Sequence, residues 1–206
     1  APLHGDMLIE DAVYTLFFPE AAAFSMPGFT IPIDQITLQK IDRISDSAAM
    51  RNSYFEEEPA IELQLPYIRH LFGEHPVIPL LAGNPSSKTS RDLAKILRIF
   101  NPEETLFIIS TNLTGDLPSA RAQVHADTAV DILTGEDPLP LLEALGKKKI
   151  SMCGAHILEA VKKTGYFTDN WTVIGYHKSE LESVNRSTHS LSALLLPKST
   201  EGIISK

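Results

Sequence analysis

The residue pattern of this chain predicts an α/β fold, a layered α/β/α domain around a mixed, mostly parallel sheet. Three observations carry that expectation. Residues 77–81, 86–100 and 106–111 read as strand, amphipathic helix and β-branched strand, an order that pairs two strands in parallel through a crossover. Further helical stretches follow with glycine at their ends. Residues 171–177 and 190–196 read as strands on either side of a polar loop, an antiparallel ending to the same sheet. With 206 residues, 43% of them hydrophobic, one domain can bury its own core, so residues 1–206 are expected to form a single domain.

Taken in order, the first 35 residues are apolar but broken by Pro19, Pro27 and Pro32, which argues for short strands and turns, with residues 12–18 as the best strand and no helix. Ile36, Leu38, Ile41 and Ile44 mark an amphipathic helix over 34–44, and residues 45–53 read as loop. The acidic run at 56–58 reads as a solvated face. Ile61, Leu65, Ile68 and Leu71 suggest one helix over 60–72 that tolerates Pro66 and stops at Gly73. After the strand-helix-strand unit, helices are expected at 119–133, 138–146 and 154–164, the last closed by Gly165.

Charge and cysteine content narrow the function. Acidic side chains outnumber basic ones 26 to 18, a formal charge of −8, and phosphate binding needs the opposite balance, so nucleic acid is not an expected partner. Cys153 is the single cysteine, which rules out an intrachain disulfide and suits a reducing compartment. With no leader-like start and no apolar run of about eighteen residues, the sequence reads as that of a soluble, cytoplasmic protein.

In open α/β sheets reactive groups collect where strands end and helices begin. Three segments qualify: Pro2-Leu3-His4-Gly5, the run from Ser110 to Gly115, and Ser151-Met152-Cys153-Gly154-Ala155. Together with the run from Glu58 to Tyr67, the strand Ile78-Pro79-Leu80-Leu81 and the later Tyr176 and Ser179, and in this order, they resemble the Memo family, which is related to class III extradiol dioxygenases. Members carry a Gly-Pro-x-His segment, a Glu-His-Ser-Ile-Glu-like helix ending in Leu-Pro, a Ser-Ser-Asp-Φ-x-His turn and a Cys-Gly segment opening a helix. The resemblance implies a pocket in which two histidines and the cysteine surround iron or copper, with His4 and Cys153 as the matching metal ligands, expected to converge.

The same resemblance exposes departures. The family's other ligand histidine lies in an Ala-Pro-His-Ala-Gly segment, and neither it nor the first strand and helix finds a match here. Asn112 stands where the turn has its acid and Gly115 where it has its histidine, so proton transfer at that turn is lost. Pro59 replaces the helix histidine, while Glu62 remains as a pocket carboxylate. A degenerate, ligand- or partner-binding Memo-like domain is therefore expected ahead of an active iron- or copper-dependent oxidoreductase, in which His156 would complete the site, or a structural subunit. A sheet without its first strand would expose apolar surface, with residues 8–18 the likeliest stretch to lie against it, so a homo- or hetero-oligomer is expected unless rearrangement of residues 1–35 seals the gap within one chain. The plainer readings are a packing residue for Cys153, a flexible residue for His4, a surface carboxylate for Glu62 and surface side chains for His125, Asp127 and His156.

Overall fold

The computed structural model describes residues 1–4, 14–56, 58–115, 117–181 and 185–198. The chain divides into two compact units, Ala1–Ile96 and Leu97–Lys206.

In the first unit the wholly apolar β1 (Leu16–Phe18) is buried on both faces, as a central strand must be. The expected strand over 12–18 begins outside the described residues. A hairpin of β2 (Ala23–Met26) and β3 (Phe29–Pro32) turns through Pro27 and Gly28, the latter at φ 85°, the Pro-Gly order of a tight turn. Helix α1 (Gln35–Ile44) starts at Asp34, whose carboxylate accepts the Thr37 N–H at 3.0 Å and its hydroxyl at 2.7 Å, bonds that hold the carboxyl below its usual range. Only Leu38 and Ile41 of the expected apolar stripe are buried; Ile36 is 70% and Ile44 55% exposed.

Two departures follow. The expected loop over 45–53 contains β4 (Ala48–Met50), which pairs in parallel with β1, and opens α2 (Asn52–Glu56). The expected single helix over 60–72 is two, α3 (Pro59–Glu62) and α4 (Leu65–Phe72). Pro66 explains the break: it falls in the first turn of α4, where a missing N–H leaves no bond unmade. β5 (Leu81–Ala82) runs antiparallel to β1, giving the order β4-β1-β5, and α5 (Ser87–Leu97) follows. Leu3, Phe17, Ala49, Tyr54 and Leu81 form the core beneath, with the Phe17 and Tyr54 rings edge to face at 4.9 Å.

The second unit is built from β6 (Leu117–Pro118), α6 (Ser119–Thr134), α7 (Leu141–Gly146), α8 (Ala155–Thr164), β7 (Thr172–Leu181) and β8 (Arg186–Leu194). Its sheet has the order β6-β8-β7, all antiparallel. Gly135 and Gly165 close α6 and α8 in left-handed conformation, the second as expected. Ala126, Ala129 and Leu133 of α6 meet Leu141 and Ala144 of α7, Met152, and Leu158 of α8 in one core.

The α/β character stands, with parallel and antiparallel pairs in the chain, but the balance differs from expectation. Of the five pairings between named strands among the described residues, one is parallel. Residues 106–111 carry strand-like alternation, Leu106 and Ile108 exposed and Phe107 and Ile109 half-buried, yet form no ladder among the described residues, so the crossover pair is not made. Two of the four antiparallel pairs, β2–β3 and β7–β8, join strands that follow one another closely in the chain, and strands joined by a short connection pair antiparallel. The other two, β1–β5 and β6–β8, bring together strands distant in sequence. No helix among the described residues is long and apolar enough to cross a membrane.

Candidate functional site

His4 belongs to the first unit and is held firmly, contrary to the flexible reading. Leu3 donates to the Ala82 carbonyl at 2.8 Å and Ala82 to that of Ala1 at 2.9 Å, so residues 1–3 run beside β5 and deliver His4 to its end. Glu58 meets it there. One carboxylate oxygen, Oε2, accepts the His4 backbone N–H at 3.1 Å and lies 2.9 Å from Nδ1. The other, Oε1, accepts the Ala60 N–H at 3.0 Å and so caps α3. The Glu58 side chain is 1% exposed and that of His4 47%. Sequence reasoning had placed Glu58 on a solvated face and chosen Glu62 as the pocket carboxylate; Glu62 is exposed on α3. The signal that could have found Glu58 is its place directly before Pro59, since proline at the first helical position marks the preceding residue as the cap.

Cys153 belongs to the second unit, at the start of α8, where backbone N–H groups lack helical partners. The turn after residue 110 supplies them. Asn112 Oδ1 accepts the Cys153 N–H at 3.1 Å, Thr111 Oγ1 accepts the Gly154 N–H at 2.7 Å, and the same hydroxyl stands 3.1 Å from the Cys153 sulfur. Gly115 donates in return to Ser151 Oγ at 3.3 Å. The approach at Gly154 is so close that a Cβ there would lie 2.5 Å from the Thr111 hydroxyl, so only glycine fits. Thr111, Asn112, Met152, Leu158, Trp171 and Leu191 are among the residues lining a small, half-open cavity of about 80 Å³ beside this turn.

Strand β8 backs the turn. The His189 carbonyl accepts both the Leu113 and Thr114 N–H groups, and its N–H donates to Thr114 Oγ1 at 3.0 Å. The His189 ring is buried between the Tyr176 hydroxyl on Nδ1 and Ser187 Oγ, 3.2 Å from Nε2. Burial lowers the His189 pKa, helped by Lys178, and burial raises that of Tyr176, so both stay neutral near pH 7. His125 on α6 is likewise buried, its pKa lowered first by desolvation and then by Arg121. His156 is wholly buried in α8. These are corrections to the surface readings of His125 and His156, and neither Thr111 nor His189 was singled out by sequence.

The donors do not by themselves fit an iron or copper ion. Among the described residues no three His, Cys, Asp or Glu side chains gather as a metal-holding group, and one imidazole in one unit with one thiol in the other falls short of a usual ligand set.

Residues 19–194 match the model of the family described as Memo-like protein. A MEMO1 family protein of Thermotoga sp. (strain RQ2) is 30% identical over 133 residues, 62% of this chain and 47% of that protein. One from Pyrobaculum aerophilum is 27% identical over 120 residues, 54% of this chain and 42% of that protein, and one from Methanopyrus kandleri is 28% identical over 116 residues, 52% and 41%. The chain thus spans about half the length of the curated relatives it matches. With the family match running over most of its length, the chain belongs to the Memo-like protein family.

Proposed function

We propose that this chain is a cytoplasmic Memo-like protein with a degenerate pocket that binds a small ligand or a partner protein and does not catalyse, with His4 and Asn112 as ligand-facing side chains of their respective units. The observation that carries this reading is how the turn at 111–115 is used. Where proton transfer needs a carboxylate and an imidazole, Asn112 and Thr111 accept the backbone N–H groups of Cys153 and Gly154, and Gly115 has no side chain to offer. With its Oδ1 committed, Asn112 has its amide N–H groups left for a ligand acceptor, beside a cavity with a mostly apolar lining.

Metal analysis of the protein purified without chelator tests the proposal. The expected result is iron and copper far below one equivalent. A stoichiometric content of either would overturn it in favour of a metal-dependent oxidoreductase.

A further inference from the structure

The carboxylate beside His4 is built in a way that packing alone does not require. Glu58 is almost fully buried, yet its two oxygens serve three N–H groups: the Ala60 amide on one, and the amide and Nδ1 of His4 on the other. The Ala60 bond fixes the carboxylate to the start of α3, and the His4 amide bond fixes the backbone of the residue whose ring it also grips. A carboxylate can only accept, so Nδ1 must carry the proton that points at it. The ring nitrogen that remains is Nε2, on a side chain left half-exposed.

We propose that Glu58 is the positioning residue for His4: it fixes the imidazole in the Nδ1–H form, so that in the neutral ring Nε2 is the nitrogen offered to a ligand as an electron-pair donor. Left to itself, a histidine ring exchanges freely between its two tautomers and rotates about its side-chain bonds. A buried carboxylate behind one nitrogen removes both freedoms. The ligand chemistry that follows is a group able to accept that pair, an N–H or O–H donor of a bound molecule or partner. This inference rests on the reading of His4 as ligand-facing.

Nitrogen-15 NMR of the histidine rings in the full chain, at a pH above the imidazole range, reads the tautomer directly. Wild-type His4 is expected to show a protonated Nδ1 and an unprotonated Nε2. Glu58→Ala is expected to shift the ring toward the Nε2–H form, and Glu58→Gln, whose side-chain oxygen can still accept, to restore Nδ1–H. A wild-type ring already protonated on Nε2 would overturn the assignment, and that measurement needs no variant to fold. An unchanged tautomer in a folded Glu58→Ala protein would overturn it equally. Because the readout involves no ligand and no metal, failure of this assignment and failure of the ligand-binding reading are seen separately.

Discussion

Two regions that the family resemblance draws together have been left in different chemical conditions. Beside β5, the His4–Glu58 pair joins two ionisable side chains, with the carboxylate buried and the imidazole half-exposed. Around Cys153, the polar side chains of the turn are uncharged and bonded to backbone. In the first arrangement Nε2 is left on a half-exposed side chain; in the second, Asn112 Oδ1 and Thr111 Oγ1 join a turn to a helix start. The difference teaches that uncharged side chains can serve as part of the fold, Asn112 and Thr111 accepting the Cys153 and Gly154 N–H groups at the helix start. Changes in the second region should therefore register as stability.

The largest effect is expected from Gly154→Ala. A methyl group 2.5 Å from the Thr111 hydroxyl forces the turn off the helix, and overpacking of this kind costs about 1–3 kcal/mol before the lost N–H bond is counted. Urea denaturation should show a clear drop in midpoint, and an unchanged midpoint would mean the turn and helix do not meet as described. Thr111→Val comes next: it keeps the shape but leaves the buried Gly154 N–H without its acceptor, for a cost of about 2 kcal/mol by the same measurement. Asn112→Asp, which still accepts the Cys153 N–H and places a negative charge at a helix N-terminus, should stay within about 0.5 kcal/mol of wild type.

Acid should act on the second region through its buried histidines. His125 and His189 have pKa values lowered by burial, so the folded chain stays neutral where the unfolded chain, with histidine near its ordinary value of about 6.5, takes up protons. Stability is therefore full above that value and falls as pH drops below it. Thermal unfolding at pH 7.5 and 5.5 should show the loss, and replacing both residues by Gln should flatten it; an equal slope in the double variant would assign the effect elsewhere. The smallest change is expected at Glu62, exposed on α3, where Glu62→Ala should alter stability by no more than about 0.5 kcal/mol and leave the His4 ring untouched.

Helix ends were legible where glycine closes them, because caps are local chemistry: Gly73 and Gly165 sit where positive φ is needed, whereas the Asp34 cap and the Gly135 stop were not singled out. The strands were harder to read. β4 is three residues of Ala-Ala-Met with no β-branched signal, and only its pairing with β1 makes it a strand. Residues 106–111 have the signal and no partner among those described, since a ladder depends on distant chain that local pattern does not encode. At the site, His4, Asn112 and Cys153 could be picked from motif order, whereas Glu58 was hidden in an acidic run and His189 in a polar strand, their roles decided by burial that composition does not show.

The proposal that the Cys153 turn is a structural bracket and not a metal pocket is tested most directly by anaerobic titration of the folded chain with Fe(II) and with Cu(I), followed by calorimetry. The account predicts weak binding that Cys153→Ser leaves unchanged. One equivalent bound tightly, and lost in Cys153→Ser, would contradict it.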